Sequence, residues 1–369
     1  MKNKRYRMIA GVAAAAFLIV GYGPHEEKLL PEQEENQKQS VTISLAGDCS
    51  LGSLSVHGYG GSFREMYDRH GPGYFFQNVK EIFEADDMTL VNFEGVLTNS
   101  NSRVKKAFNI KGKPEYIQIL PEASIEAVSF GNNHRIDYGA QGVADTVAAF
   151  SSINLPYACN ETVGIFETEK GAKIGFVSVS VVDHGKGVEA YLQNGMAQLK
   201  EAGVDVILAC CHWGQELSYY PNSYQQELGR KCIDWGADLV VGCHPHVLQG
   251  VDAYKGKYII YSLGNFCFGA NRNPKDKNTM IAQVKFTIEE GNTVGSELTL
   301  IPCKISSVSN RNDYRPTLAE GEKKADIIRR LQAYSAGFGV VIGEDGRVTM
   351  PETEEKQASE ETETASEGS

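Results

Sequence analysis

The chain has 369 residues, a formal net charge of −11 and a hydrophobic fraction of 41%. This length and composition suffice for a body of about 300 residues with a sizeable core, organised as one large α/β domain or as two smaller ones. No stripe of Lys and Arg interrupts the acidic balance, so nucleic acid is not expected as a partner.

The N-terminus has the composition of a targeting segment. Basic residues within 2–7 precede an apolar stretch from Met8 to Gly23, which is typical of an export signal. At about 16 residues the stretch is slightly shorter than a spanning helix requires, so residues 1–23 are predicted to be either a cleaved signal peptide or an N-terminal membrane anchor. In both cases we expect an exported body, either anchored on the outer face of the cytoplasmic membrane or secreted.

Two polar segments flank the body. Residues 24–40 are rich in Glu and Gln and are predicted to form a polar spacer, and residues 351–369 are acidic, lack aromatic residues and are predicted to be a disordered tail. Between them we predict a domain over 41–310 and a C-terminal helical extension over 311–350.

One pattern recurs along the body, an apolar run typical of a buried strand that ends in polar residues and glycine. It appears first at Val41–Ala46, which leads into a loop containing Asp48, and again at Met88–Val91, which leads to Asn92 and Glu94. Because α/β proteins place ligand groups at the carboxyl ends of strands, both carboxylates are candidate site residues. Taken alone, Asp48 is also explained by capping of the following turn.

The third occurrence of the pattern is Ile125–Phe130, which is followed by Asn132, Asn133 and His134. Two amides and an imidazole are costly to bury without partners, so this loop is a further candidate. Helices are predicted around Phe75–Glu84 and over Gln141–Ser151, Val188–Ala202, Ser223–Trp235 and Leu318–Tyr334, and antiparallel strands over Met280–Ile288 and Val294–Ile301.

Three further runs repeat the pattern: Val204–Cys211 before His212 and Glu216, Leu239–Val241 before His244 and His246, and Tyr258–Leu263 before Asn265. Residues two apart in an extended segment project to the same side, so the rings of His244 and His246 can address one metal ion. On that stretch alone, two unrelated loop histidines are the alternative.

Carboxylate, amide and imidazole groups at six strand ends are the ligand mix that suits zinc, manganese or iron. Their number predicts two divalent transition metal ions about 4 Å apart that share one carboxylate. The eight cysteines follow no disulfide spacing. Since Cys49, Cys211 and Cys243 adjoin the candidate ligands, a thiolate ligand is an open alternative to buried thiols.

These motifs together resemble the bacterial capsule synthesis protein family CapA, over roughly Val41–Ser307. The residues that carry the resemblance are Ala46-Gly47-Asp48, Asn92-Phe93-Glu94-Gly95, Gly131-Asn132-Asn133-His134 with Asp137-Tyr138-Gly139, His212-Trp213-Gly214-Gln215-Glu216, Gly242-Cys243-His244-Pro245-His246-Val247 and Ser262-Leu263-Gly264-Asn265-Phe266. The resemblance implies a role in poly-γ-glutamate capsule biosynthesis. It also implies an α/β (α+β) fold similar to the calcineurin-like metallophosphoesterases, a two-sheet β-sandwich flanked by helices that holds a dimetal centre.

The resemblance further implies a role for each matched residue. The implied metal ligands are Asp48, Glu94, Asn133, His212, His244 and His246; the implied catalytic residues are His134, as the acid that protonates the leaving group, and Asp48; and the neighbouring polar residues expected to contact substrate are Asn92, Asn132, Glu216 and Asn265. Two departures stand out. Asp48-Cys49-Ser50 replaces the usual Asp-x-His, and Glu94 stands where a bridging Asp is expected.

Three functional interpretations follow from the sequence. The first is a metal-dependent hydrolase that acts outside the cell on an anionic envelope polymer, on its precursor or on a phosphodiester. The second is a non-catalytic, metal-dependent binding or scaffold subunit of a membrane polymer synthetase. In the third, the polar loops form only a structural network bonded to the backbone.

Overall fold

The computed structural model of the protein describes residues 38–350. The predicted signal or anchor over 1–23, the acidic tail over 351–369 and nearly all of the spacer over 24–40 lie outside the described residues. No helix within 38–350 is long and apolar enough to cross a membrane.

The described chain alternates between strands and helices. The strands are β1 (Gln39–Ser50), β2 (Ser53–Leu54), β3 (Met88–Phe93), β4 (Val96–Leu97), β5 (Ile110–Gly112), β6 (Ala127–Ser129), β7 (Tyr157–Ala158), β8 (Gly164–Glu167), β9 (Lys173–Ser180), β10 (Val206–His212), β11 (Leu239–Cys243), β12 (Val251–Tyr254), β13 (Lys257–Ile260), β14 (Asn265–Phe268), β15 (Asn278–Glu289), β16 (Asn292–Lys304), β17 (Thr317–Leu318), β18 (Val341–Ile342) and β19 (Arg347–Thr349). The helices are α1 (Phe63–His70), α2 (Lys80–Ala85), α3 (Ile119–Glu122), α4 (Gly139–Ser152), α5 (Val181–His184), α6 (Val188–Glu201), α7 (Ser223–Trp235) and α8 (Gly321–Tyr334).

Two large sheets and one small sheet organise these strands. The first sheet has the order β18-β19-β16-β15-β1-β3-β6-β7, with β14 paired to β1 and β17 paired to β16. The second sheet has the order β12-β13-β11-β10-β9-β8, and the small sheet has the order β2-β5-β4. Within the large sheets, β1, β3 and β6 are parallel, and so are β9, β10, β11 and β13.

The two large sheets pack face to face around a shared apolar core. On β1, Ile43 and Leu45 join a cluster that also contains Leu208 and Leu239 of the second sheet. Ala46 of β1 joins a separate cluster on the outer face of the first sheet. Because successive side chains of a strand point to opposite faces, β1 is buried on both sides.

Helices cover the two outer faces of the sandwich. In α6, buried Leu192, Met196 and Leu199 recur at the spacing of one helix face and pack on the second sheet. In α4, Ala149 and Phe150 pack on the outer face of the first sheet. The predicted two-sheet sandwich flanked by helices is therefore confirmed.

The structure differs from the prediction at both boundaries of the predicted domain. Strand β1 begins at Gln39, inside the predicted spacer, because Gln39 and Ser40 pair with β15. The segment 311–350 contains α8, as expected, but it is not a separate helical extension. Its strands β17 and β19 pair with β16, and Ile327 and Leu331 of α8 belong to the core shared by the two sheets.

Candidate metal centre

The predicted site residues converge where the carboxyl ends of the parallel strands of both large sheets meet. Asp48 lies in β1, Glu94 follows β3, His212 ends β10 and His244 follows β11. Parallel pairing places the ends of β1 and β3 side by side in the first sheet, and those of β10 and β11 in the second. Packing of the two sheets brings both sets together, as expected for a ligand site in an α/β fold.

Asp48 belongs to β1 itself, whereas the sequence predicted a loop after the strand. The pairing of β1 with β3 shifts register between Ala46 and Asp48, and β14 pairs alongside, with Asn265 opposite Asp48. Gly47 permits this close approach, because a Cβ atom there would lie 1.9 Å from the carbonyl oxygen of Gly264. The backbone N–H of Asp48 donates to that same carbonyl at 2.9 Å. The carboxylate is therefore held on a paired strand rather than on a free loop.

The two carboxylates of the site, Asp48 and Glu94, are completely buried. Asn92 Nδ2 donates to Asp48 Oδ1 at 2.7 Å, while Asn92 Oδ1 accepts from Ser129 Oγ at 3.2 Å. Both carboxylate oxygens of Glu94 accept no hydrogen bond from the described residues, and Asp48 Oδ2 faces the ring of His246 at 3.0 Å. Burial, reinforced by the nearby Asp48 carboxylate, raises the pKa of Glu94 well above its usual range.

Two histidines from the second sheet face these carboxylates in the neutral form. His212 Nε2 lies 2.9 Å from Asn133 Oδ1 and 3.2 Å from His244 Nδ1. Burial, with a smaller contribution from the neighbouring imidazoles, lowers the pKa of His212 well below its usual range and lowers that of His244 to about 4. Each ring therefore keeps a nitrogen lone pair available at neutral pH.

His246 lies between the carboxylates, and its pKa is raised, whereas those of His212 and His244 are lowered. Its Nδ1 is 3.0 Å from Asp48 Oδ2 and 2.9 Å from Asn265 Oδ1, and its Nε2 is 3.8 Å from Glu94 Oε1. Burial disfavours the charged ring, but the carboxylates of Glu94 and Asp48 outweigh it and raise the pKa of His246 to about 10. A proton on this ring therefore balances part of the buried negative charge.

The rings of His244 and His246 lie together, with centroids 5.8 Å apart, but not for the predicted reason. The sequence predicted an extended segment that projects both rings to one side. Instead, β11 ends at Cys243 and both histidines adopt the left-handed region, with φ of 96° and 59°. Non-glycine residues in this region cost on the order of 1–3 kcal/mol each and persist where the surrounding structure enforces them. The turn around Pro245 therefore places the two rings.

His134 lies at the edge of the site, oriented by an acidic partner. Its Nδ1 is 2.7 Å from Asp137 Oδ2, and its Nε2 is 3.7 Å from Glu94 Oε1. Asp137 also accepts from the backbone N–H of Ile110 at 2.7 Å and pairs with Lys106 Nζ at 3.0 Å. This network fixes the ring and directs Nε2 toward the carboxylates.

Sequence reasoning assigned no role to Asp137 or Lys106. Asp137 was visible in the chain as a carboxylate three residues after His134, within the same motif. Lys106, whose Nζ also donates to the carbonyl oxygen of Asn133 at 2.7 Å, lies in a segment without any local pattern. Only the fold brings that lysine to the site.

The residues predicted to contact substrate fall into two groups. Asn92, Asn132 and Asn265 are buried and bonded to protein groups: Asn132, for example, donates to the carbonyl oxygen of Phe93 at 2.7 Å and accepts from the backbone N–H of His134 at 3.1 Å. These amides hold the site together. Glu216 is exposed and forms a group with His244 and His246 whose ligand atoms all lie within 4.8 Å of one another. A direct contact of any of them with substrate stays a prediction.

The thiols beside the site do not have the character of ligands. Cys49 and Cys243 are buried, and burial raises the pKa of each thiol well above its usual range. The hydrogen bond with the Cys232 thiol, together with burial, raises the pKa of Cys211 well above its usual range. Neither of the two groups of converging ligand atoms within 38–350 contains a cysteine, so the geometry favours buried thiols over a thiolate ligand. Ser50, which replaces the usual histidine, is buried with its hydroxyl unbonded within 38–350.

The donor set fits divalent metal ions. A second group with ligand atoms within 4.8 Å of one another consists of Asp48, Glu94 and His246, so His246 is shared by both groups. Buried carboxylate oxygens that receive no hydrogen bond are costly, and a divalent cation would satisfy them. Oxygen donors combined with neutral imidazoles suit manganese, zinc or iron.

The fold and the site together define a two-sheet protein with a candidate metal centre at its joined strand ends. The chain belongs to the family described as bacterial capsule synthesis protein PGA_cap, whose model matches residues 42–270, more than half of the 369 residues.

Three relatives extend this likeness over most of the chain. The PGA biosynthesis protein CapA of Bacillus subtilis is 28% identical and covers 87% of this chain and 84% of its own length. The capsule biosynthesis protein CapA of Bacillus anthracis is 27% identical over 72% of this chain and 69% of its own length. A probable polyglutamine synthesis accessory protein of Mycobacterium tuberculosis is 23% identical over 85% of this chain and 94% of its own length.

Solved structures resemble the chain more distantly. A hypothetical protein from Thermus thermophilus matches with a TM-score of 0.43 and 14% identity, covering 71% of this chain and 99% of its own. The 5'-nucleotidase from Candida albicans matches with a TM-score of 0.41 and 11% identity, covering 81% of this chain and 60% of its own. The assignment of the fold therefore rests on the strand order and pairing of this chain itself.

Proposed function

We propose that this protein acts outside the cytoplasmic membrane in the biosynthesis of an anionic envelope polymer of the poly-γ-glutamate type, as a metal-dependent hydrolase. The observation that carries the proposal is the convergence of Asp48 and Glu94, whose buried oxygens are largely unbonded, with neutral His212 and His244. The family and the printed names of the Bacillus relatives support the polymer, and the predicted N-terminal signal or anchor supports the location.

Two divalent transition metal ions would be held by Asp48, Glu94, Asn133, His212, His244 and His246, with Glu216 as an additional donor. His246 would release its proton when it binds metal. The chemistry that such ions supply when bound is Lewis acidity, which polarises a carbonyl or phosphoryl group and favours water as a nucleophile at neutral pH. The neutral state of His212 and His244 keeps their lone pairs available for this role.

The proton step of the proposed reaction belongs to His134. Its Nδ1 is bound by Asp137, so the opposite nitrogen, Nε2, is the one that points toward the carboxylates. From there His134 donates a proton to the leaving group, and the Asp137 carboxylate stabilises the ring while it is charged. Lys106 balances the charge of Asp137 from the other side.

A second function is favoured by one departure in the site. Ser50 stands where the phosphoesterase pattern has a histidine, and its buried hydroxyl cannot replace an imidazole nitrogen. With one position weakened, the protein would bind polymer carboxylates through metal without turnover, as a scaffold subunit of a membrane polymer synthetase. The mycobacterial relative, described as a synthesis accessory protein, is consistent with that role.

Metal content and turnover separate these functions. The full chain is purified, its manganese, zinc and iron are quantified by mass spectrometry, and hydrolysis of γ-glutamyl and phosphodiester substrates is assayed. We expect about two equivalents of metal with turnover, and loss of both in His212→Ala and His244→Ala. His184→Ala, at the exposed histidine that ends α5, is the matched control.

Each outcome bears on a different part of the proposal. Wild-type protein that holds no metal above trace would overturn the metal centre. Metal without turnover of either substrate class would establish the scaffold instead of the hydrolase, and turnover of phosphodiesters alone would replace the polymer with a phosphodiester substrate.

A further inference from the structure

An open cleft beside the metal centre is positively charged, in contrast to the protein as a whole. It has a volume of about 620 Å³ and is lined by the side chains of Arg64, Arg103, Lys111 and Lys113, with no Asp or Glu in its lining. The chain carries a formal charge of −11, so four cations without an acid in one cleft run against its overall composition. We call this region the basic cleft.

Two of these cations have no acidic partner among the described residues. Lys111 Nζ donates to the carbonyl oxygen of Ser100 at 2.6 Å and to Asn101 Oδ1 at 3.1 Å, and Arg103 Nη1 donates to Ser55 Oγ. No carboxylate within 38–350 lies within the ion-pair distance of 4.0 Å from either residue. A partly buried cation bonded only to neutral groups retains its affinity for an anion.

The other two cations are paired at exposed positions. Arg64 Nε lies 3.6 Å from Asp68 Oδ2, and Lys113 Nζ lies 3.2 Å from Glu115 Oε1. Exposed pairs of this kind contribute little free energy and exchange partners readily. An anionic ligand in the cleft can therefore bind Arg103 and Lys111, which have no acidic partner within 38–350, and can also replace the weakly bound partners of Arg64 and Lys113.

The cleft also has neutral polar side chains in its lining. Ser55, Asn99 and Asn101 are exposed there and contribute a hydroxyl and two amides. The cleft thus offers hydrogen-bonding groups in addition to positive charge.

The basic cleft is continuous with the metal centre through two stretches of chain. Strand β1 carries Asp48, and Ser53, five residues later, lines the cleft. Asp137, which orients His134, also accepts from the backbone N–H of Ile110, the residue before Lys111. The lining of the cleft is therefore joined directly to the segments that position Asp48 and His134.

We infer that the basic cleft binds a segment of a carboxylate-bearing polymer, such as a poly-γ-glutamate chain, and guides it to the metal centre. Repeated carboxylates match repeated cations, and the polar lining matches the amide groups of such a chain. The choice of polymer rests on the proposed function, whereas the location of the binding site rests on the residues of the cleft.

The test measures polymer binding directly. The full chain, loaded with Mn²⁺, is titrated against a fluorescein-labelled γ-linked glutamate decamer, and fluorescence anisotropy gives the affinity. The double variant Arg103→Gln/Lys111→Gln is expected to bind on the order of tenfold more weakly or worse, because two charge-assisted contacts are lost. Arg103→Gln alone changes an exposed side chain, so it tests the inference even if the double variant does not fold.

The matched control is Lys255→Gln/Arg329→Gln, which removes the same charge from two exposed, paired cations away from the cleft lining. We expect this control to retain wild-type affinity, and Arg103→Lys/Lys111→Arg to restore binding. Cleft variants that bind as well as the control would overturn the inference.

Two further arms separate this inference from the proposed function. A thymidine oligonucleotide of equal charge serves as competitor, and equal competition by this phosphodiester would overturn the assignment to carboxylates. His212→Ala/His244→Ala should lose metal yet still bind the decamer. Polymer binding that disappears with the metal while cleft variants bind normally would place the binding site at the metal centre and refute the cleft.

Discussion

The two large sheets contribute chemically different halves of the candidate metal centre. The first sheet supplies Asp48 and Glu94, and burial pushes the Glu94 carboxyl toward its neutral form by raising its pKa. The second supplies His212 and His244, and burial pushes these rings toward their neutral form as well, by lowering the pKa of each. The same physical cause therefore acts on both halves, and charge is retained where the halves meet, at His246.

The comparison shows why neither half is a site by itself. Too few hydrogen-bond donors within 38–350 face the carboxylates of the first sheet. In the second sheet, ring nitrogen atoms of His212 and His244 face each other. Where the two halves meet, the buried carboxylates favour a positive charge. In the metal-free protein, the proton on His246 supplies part of that charge. Three experiments test this relation, in order of decreasing effect.

The largest expected effect is a loss of stability at alkaline pH in the protein freed of metal. The folded pKa of His246, about 10, lies above its ordinary value of 6.5, so its stabilisation is complete below pH 6.5 and disappears as the pH rises through 10. The raised pKa of Glu94 acts in the same direction, because the folded state again binds more protons. We expect a loss on the order of several kcal/mol.

Urea denaturation of chelator-treated protein between pH 6 and pH 10 measures this loss. His246→Asn should make the pH dependence shallower, whereas His184→Asn, at the exposed histidine that ends α5, should leave it unchanged. A wild-type protein whose free energy of unfolding is constant across this range would show that the carboxylates and His246 do not interact as described.

The second effect concerns His134, which follows β6 of the first sheet. His134→Gln should lower kcat by about 100-fold, since general acid catalysis typically contributes at least that much. Bound metal should be unchanged, because the residue's role is proton donation. Asp137→Asn should cause a smaller fall, as the ring remains but loses its charged partner.

Steady-state kinetics with parallel metal analysis checks this prediction. Loss of metal in His134→Gln would reassign the residue from proton donor to ligand, and unchanged kcat would remove it from the reaction.

The smallest effect concerns Asn92, which touches both halves. Its Nδ2 donates to Asp48 Oδ1 and lies 3.4 Å from His212 Nδ1. Residues that orient metal ligands typically contribute 10- to 100-fold to affinity, so Asn92→Ala should weaken metal binding by roughly tenfold. Competition with a chromophoric chelator measures this change, with the exposed Asn194→Ala as control. Equal affinity in both variants would contradict a joining role for Asn92.

Much of the fold could be predicted because local signals agreed with the tertiary structure. Helix α7 begins and ends where the sequence predicted, since a capping box joins Asn222 and Gln225 at its start and Gly236 adopts a left-handed conformation at its end. Helix α1 was missed, although Ser62 caps it by accepting from the backbone N–H of Glu65. Strands β17 to β19 have only two or three residues, too few for any periodicity to appear.

The convergence of the candidate ligands could be predicted from the sequence, but their geometry could not. Apolar runs that end in polar residues marked Asp48, Glu94 and His212 correctly as neighbours at one edge. The left-handed backbone at His244 and His246 leaves no trace in residue type, because such conformations usually favour glycine. The basic cleft left a local signal that was overlooked, since three of its four cations, Arg103, Lys111 and Lys113, come from residues 103–113, which contain no Asp or Glu.

The length of β1 has a consequence for reach. Whatever precedes Gln39 joins the sandwich at the amino end of this strand, whereas Asp48 lies nine residues further along it, a distance of about 30 Å at the usual rise per residue. A tether attached before Gln39 would therefore pull on the opposite end of the strand from the metal centre.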